Sequence, residues 1–153
     1  MDAAQLLDLY RAKHLRIATA ESCTGGMIAA AITDIAGSSE VFERGFVTYS
    51  NAAKQEMLGV RKATLAKYGA VSEQAAREMA KGALKKSRAT IAVAVTGVAG
   101  PTGGSDTKPV GMVCFAFASR RGVFSETRRF RGNRGSVRRQ SVVHALKGVL
   151  KRG

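Results

Sequence analysis

Leu15-Arg16-Ile17-Ala18-Thr19-Ala20-Glu21-Ser22-Cys23-Thr24-Gly25-Gly26-Met27 passes from a short apolar run into a polar turn and then into a helix. Residues 15–20 read as a buried strand. Glu21 to Gly26 form a glycine-bearing turn, and Met27 to Ile35 read as a helix that ends at Gly37. A strand, a turn of small residues and a helix in that order put a turn side chain and free helix N–H groups at one edge of a sheet.

On the N-terminal side, Ala3, Leu6, Leu7 and Tyr10 repeat at i, i+3, i+4, i+7 and predict an amphipathic helix. On the C-terminal side, Gly45-Phe46-Val47-Thr48-Tyr49 alternates as a strand, and Asn51 is the expected N-cap of a short helix carrying Ala52, Ala53, Lys54 and Leu58. Ser72 caps the next helix, with Ala76, Met79, Ala80, Ala83 and Leu84 as its apolar stripe and Val71 against Ala76 as a hydrophobic staple. Thr90 to Val95 is a second buried strand, followed by a glycine-rich loop from Gly97 to Pro109. Val110–Ala118 and Val123–Phe130 read as an antiparallel pair joined at Ser119-Arg120-Arg121-Gly122. The last helix is expected over about Arg134 to Leu150, with Val142, Val143, Leu146, Val149 and Leu150 on its apolar face. Helices and strands alternate with no second core, which predicts an α/β protein: one domain, residues 1–153, a three-layer α/β/α sandwich around a mixed sheet.

With 153 residues, 45% of them apolar and 24% charged, the chain has an ordinary globular composition, which argues against extended disorder. Cys23 and Cys114 are the only cysteines and His14 and His144 the only histidines, so neither a disulfide scaffold nor a zinc-ligand spacing is present. No apolar run approaches a membrane span, and Met1-Asp2-Ala3-Ala4-Gln5 lacks the pattern of a targeting segment. A cytoplasmic protein without a membrane partner is expected. Net charge is +14, and +10 of it falls in residues 119–153, where eleven Lys or Arg face one acid, Glu126. Aromatic residues are not interleaved with these arginines in the pattern of an RNA-stacking strand, and the basic segment reads either as a solvated helix or as a phosphate-binding surface.

Ser22 lies in the turn between strand and helix, where a nucleophile is exposed and nearby N–H groups can hold an oxyanion. Its surroundings are not G-x-S-x-G, and a serine that only caps the helix is the plain alternative. Cys23 reads as a packing cysteine rather than a nucleophile. Both histidines are poorly placed to serve as a base. Lys54, just beyond a strand end and in the first turn of a helix, is the candidate, since the positive helix end disfavours its ammonium, as burial would; a solvated helix lysine is the plain alternative. Tyr49 could relay a proton or orient the pair. The loop carrying Thr96, Gly97, Gly100, Gly103, Gly104, Ser105 and Lys108 matches no dinucleotide or ATP fingerprint, yet its glycines let backbone N–H groups approach an anion. Arg131, Arg134 and Arg138, at helical spacing, are either phosphate ligands or solvent-facing charge.

Thr19-Ala20-Glu21-Ser22-Cys23-Thr24-Gly25-Gly26, Gly45-Phe46-Val47-Thr48-Tyr49-Ser50-Asn51, Lys54, Gly69-Ala70-Val71-Ser72, Thr96-Gly97-Val98-Ala99-Gly100-Pro101, Lys108-Pro109-Val110-Gly111 and Arg131-Gly132-Asn133-Arg134 with Arg138 occur in one order along the chain. In these stretches the chain resembles the CinA C-terminal domain family over nearly its whole length. The resemblance implies an amidohydrolase that converts nicotinamide mononucleotide to nicotinate mononucleotide and ammonia, without a metal or organic cofactor, in a homo-oligomer. It further implies Ser22 as nucleophile, Lys54 as base and Tyr49 as helper, with backbone N–H groups near Cys23 or Thr24 receiving the oxyanion. The turn residues Cys23, Thr24, Gly25 and Gly26, the glycine loop, helix N-termini and Arg134 or Arg138 would then hold the nucleotide. Asn133 and Thr102 stand where the family commonly carries aspartate. Two other readings are a nucleotide-binding module without turnover and, behind it, a nucleic-acid-binding protein using the basic C-terminal helix.

Overall fold

The computed structural model describes residues 3–153. Met1 and Asp2, part of the stretch read above for a targeting segment, lie outside the described residues. The elements are α1 (Ala3–Ala12), β1 (Ile17–Glu21), α2 (Met27–Thr33), a 3-10 turn (Ser38–Glu40), β2 (Phe42–Val47), α3 (Asn51–Leu58), α4 (Lys62–Tyr68), α5 (Glu73–Lys85), β3 (Ile91–Gly97), β4 (Met112–Ser119), β5 (Gly122–Arg129) and α6 (Arg134–Lys151). The sheet order is β2-β1-β3-β4-β5. Strands β2, β1 and β3 run parallel, whereas β4 and β5 are antiparallel additions, so the sheet is mixed.

Alternation along the strands divides the core in two. Ile17, Val93, Val95, Val113, Phe115 and Phe117 face α1, α2 and α6 and pack on Leu6, Leu7, Tyr10, Ile28, Ile32, Val137 and Val149. The opposite face offers mostly alanine, namely Ala18, Ala20, Ala92, Ala94, Ala116 and Ala118, and meets the small stripe of α5 at Ala75, Ala76, Ala80 and Ala83. With α3–α5 on that side, the three layers are complete. Because small residues meet small residues, α5 sits close to the sheet and to α3. A Cβ at Gly82 of α5 would come within 1.9 Å of the Leu58 carbonyl oxygen at the end of α3. Gly82→Ala would gain about 1 kcal/mol in helix propensity, but overpacking costs about 1–3 kcal/mol or more. The variant is expected to be less stable, seen as a lower urea midpoint at unchanged slope.

Several boundaries differ from the sequence expectation. β2 begins at Phe42 and ends at Val47, not at residues 45–49, because Glu43 and Arg44 are charged residues on an edge strand that obscure its start. The cap of α3 is Ser50, whose Oγ accepts from Ala53 N, and Asn51 is the first helical residue. α4 has no counterpart in the sequence expectation, since only Thr64 and Leu65 of its residues are buried and no apolar stripe marks it. Val143 is exposed on α6 rather than part of its apolar face. Ser72 does cap α5, accepting from Ala75 N. Among the described residues no helix is long and apolar enough to cross a membrane.

The sheet order places β1 between β2 and β3; the connection after β1 enters α2 on one face and the connection after β2 enters α3–α5 on the other, so the two diverge. Ligands of open α/β sheets bind in the crevice this divergence leaves. Glu21-Ser22, Thr48-Tyr49 and Thr96-Gly97 all emerge there.

Candidate active site

The turn after β1 is held from several directions. Ser22 N donates to Val95 O at 2.9 Å, continuing the β1–β3 pairing one residue beyond the strand. Gly25 N donates to Ser22 O at 3.0 Å, which closes a four-residue turn around Cys23 and Thr24. Gly25 and Gly26 take φ of 57° and 104°, in the left-handed region that side chains with a Cβ disfavour, and so feed the chain into α2. The amide N–H groups of Cys23 and Thr24 have no backbone acceptor among the described residues.

Glu21, fully buried, is a residue the sequence reading passed over. One carboxylate oxygen accepts from Thr24 Oγ1 at 2.6 Å and Ile28 N at 2.9 Å, and the other accepts from Ala29 N at 3.0 Å. The first-turn amides of α2 are therefore used internally. The N–H groups that the strand-turn-helix order leaves free at this helix start are thus already occupied within the protein. The available signal was a carboxylate placed between a strand end and a helix start, where helix N–H groups favour it.

Lys54 is 1% exposed, unusual for a lysine outside an ion pair. Its Nζ lies 3.0 Å from Ser22 Oγ, 2.9 Å from Thr48 O and 3.4 Å from Tyr49 O. None of these neighbours is a carboxylate. Burial, the larger effect, lowers the Lys54 pKa from its ordinary value, and the Cys23 thiol opposes this. Two carbonyls that only accept and one hydroxyl that can also donate suit both forms of the amine. A neutral amine donates twice to the carbonyls and accepts from Ser22; an ammonium donates three times. A group that takes and returns a proton needs both states satisfied. By contrast, burial pushes the Cys23 thiol up to about 11, which leaves it a thiol at neutral pH.

Ser22 and Lys54 open on a cavity of about 280 Å³ whose far wall is the glycine loop at Gly97, Gly100 and Gly103. Thr96, also in this lining, is buried and donates its hydroxyl to Ala70 O at 2.9 Å. Arg134 stands at the mouth, with Nη1 donating to Gly100 O at 2.8 Å and Nη2 to the Tyr49 hydroxyl at 3.0 Å. The phenol of Tyr49 is thus engaged by Arg134, and only its backbone carbonyl reaches Lys54; a phenolic relay between Ser22 and Lys54 is not present in this geometry. Asn51, expected only as a cap, lines the same cavity.

Other expected site residues lie elsewhere. Gly104 packs on Val110, Ser105 Oγ accepts from Lys108 N at 3.1 Å, and the Lys108 ammonium donates to Tyr68 O; these three secure the return of the loop and do not line the cavity. Arg138 donates Nε to Cys23 O at 3.1 Å and Nη2 to Thr24 O at 3.3 Å, so it holds the turn after β1 and is absent from the cavity lining. His144 is paired with Glu126 against the Phe115 ring, and His14 lines a cleft with Arg11, Arg16 and Glu40 beyond the opposite end of the parallel strands. Among the described residues no three His, Cys, Asp or Glu side chains are grouped to hold a metal ion.

This arrangement can be set beside known proteins. The family model described as the CinA C-terminal domain matches residues 2–152. The nicotinamide-nucleotide amidohydrolase PncC of Escherichia coli K12 is 60% identical over 144 residues, covering 93% of this chain and 87% of that protein. The protein of the same name from Pseudomonas putida is 51% identical and covers 100% of this chain and 99% of its own length. The crystal structure of competence/damage inducible protein CihA from Agrobacterium tumefaciens superposes with a TM-score of 0.95 at 50% identity, covering 97% of this chain and 92% of that one.

Proposed function

This chain belongs to the CinA C-terminal domain family, and from that premise we propose that it hydrolyses nicotinamide mononucleotide to nicotinate mononucleotide and ammonia, with Ser22 as nucleophile and Lys54 as its base. The activity is that named for its full-length relatives in Escherichia coli and Pseudomonas putida. The observation that supports the assignment of residues is the buried contact of 3.0 Å between Lys54 Nζ and Ser22 Oγ.

Neutral Lys54 accepts the Ser22 proton as Oγ bonds to the carboxamide carbon, and the carbonyl electron pair moves onto oxygen. The N–H groups of Cys23 and Thr24 are the donors for that oxyanion. On collapse the C–N bond breaks, Lys54 returns the proton to the departing nitrogen, and ammonia leaves. Water then gives a proton to Lys54 as it attacks the Ser22 ester, and Ser22 is regenerated by the same route. At the mouth, the Arg134 guanidinium has more donors than the two engaged by Gly100 and Tyr49, and with the glycine loop it faces the phosphate. Each step draws only on side chains and amides of the chain itself and on water.

We take the enzyme to be cytoplasmic and homo-oligomeric. Its two cysteines are free and buried, as suits a reducing compartment, and Val47 and Tyr49 leave apolar surface exposed beside the site. The test is ammonia release from nicotinamide mononucleotide, with the nucleoside and the dinucleotide in parallel. Release from the mononucleotide is expected; its absence would leave a nucleotide-binding module and reject the amidase.

A further inference from the structure

Arg138 and the turn after β1 meet across 115 positions of sequence. The guanidinium approaches from the second turn of α6 and takes the carbonyl oxygens of two successive residues, Cys23 at 3.1 Å and Thr24 at 3.3 Å. Gly25 lies against the same guanidinium, a Cβ there reaching van der Waals contact with Arg138 Nη2 at 3.4 Å. From the other side, Glu21 holds the Thr24 hydroxyl at 2.6 Å. The turn is therefore pinned at carbonyls on one side and at a side chain on the other.

Peptide planarity turns this pinning into a statement about the amides. In a trans peptide the N–H points opposite to the preceding C=O. With Cys23 C=O committed to Arg138, the Thr24 N–H must point away from α6. Rotation of that peptide plane by half a turn would replace an N–H with a carbonyl, which repels an oxyanion instead of receiving it.

We infer that Arg138 is a positioning residue for the hydrolysis: by holding the Cys23 carbonyl it fixes the peptide between Cys23 and Thr24 with the Thr24 N–H presented as an oxyanion donor beside Ser22, while its contact with the Thr24 carbonyl anchors the next peptide. This rests on the reading of Ser22 as nucleophile and gives Arg138 a role distinct from the phosphate contact first expected of it. Arg134, one helical turn earlier on the same face, reaches the glycine loop instead, so α6 orders both walls of the site. A lysine at 138 would keep the charge but would present one ammonium where two carbonyls are bridged by a rigid fork.

The experiment compares wild type, Arg138→Met and Arg138→Lys by two measurements. One is turnover of nicotinamide mononucleotide. The other is labelling of Ser22 by a fluorophosphonate, in which the Oγ–P bond forms as the P–F bond breaks, fluoride leaves, the serine proton passes to Lys54 and the phosphoryl oxygen takes the oxyanion position. Loss of an oxyanion donor costs about 10²–10³-fold in kcat. Both variants are expected to lose about 100-fold in kcat and in labelling rate, with KM within about twofold and an unchanged pH profile. If Arg138→Met does not fold, Arg138→Lys decides. Wild-type labelling rates in a folded variant, or a raised KM at intact kcat, would overturn the inference. If wild type ignores the mononucleotide but labelling still depends on Arg138, the substrate is wrong and the positioning role stands. If wild-type Ser22 does not label, both fall.

Discussion

Ser22→Ala is expected to lower ammonia release from nicotinamide mononucleotide by about 10⁴-fold or more, the usual consequence of removing a nucleophile whose partners act as a unit. The change deletes one oxygen at a site 8% exposed, and the turn remains held by Val95, Glu21 and Arg138, so the fold and KM should survive. Cys23, although adjacent, cannot take over. Its thiol is pushed up to about 11 by burial, and no base contacts it as Lys54 contacts Ser22. A single-turnover assay with the natural substrate, followed by mass measurement of the intact protein, would show an acyl adduct on wild type and none on the variant. Undiminished turnover would remove Ser22 from the chemistry.

The second large effect concerns Lys54. Because burial lowers its pKa, the neutral amine that accepts the Ser22 proton gains population as pH rises through that lowered value. The rate therefore rises with pH and levels off, and it is lost as pH falls and the ammonium forms. The rising limb should lie below the ordinary lysine range, near 10.5. Lys54→Met should abolish the limb along with activity, again by about 10⁴-fold. Lys54→Arg separates two roles: a guanidinium retains charge but does not deprotonate in proteins. If Lys54 served only as a fixed positive charge, the arginine variant would keep substantial activity. As a base it keeps almost none.

The sequence makes some of these relations readable and hides others for physical reasons. Strand-turn-helix spacing suffices to place Ser22 at a sheet edge, because glycines and an apolar strand leave that segment few alternatives. Lys54 stands out by its position in the first turn of α3, although only the fold brings it 3.0 Å from a side chain 32 residues away. Glu21 is hidden because a carboxylate satisfied by helix amides has no partner of opposite charge to betray it. Arg138 and Arg134 share a helix face and a charge, yet one bonds the turn after β1 and the other the glycine loop; periodicity fixes the face but not which loop folds under each arginine. Tyr49 illustrates the reverse, since its backbone carbonyl reaches Lys54 while its phenol serves Arg134. α4 escapes notice because a short helix with two buried residues leaves almost no periodic trace.

The contacts from α6 to the two loops also tie the site to the stability of the whole domain. Ser22 and Lys54 both precede α6 in the chain, yet α6 supplies Val137, Val142, Ala145, Leu146 and Val149 to the core beneath β1 and β3. Cleavage ahead of Arg134 would remove part of that core together with both arginine contacts, so the pocket and the fold should be lost in one step.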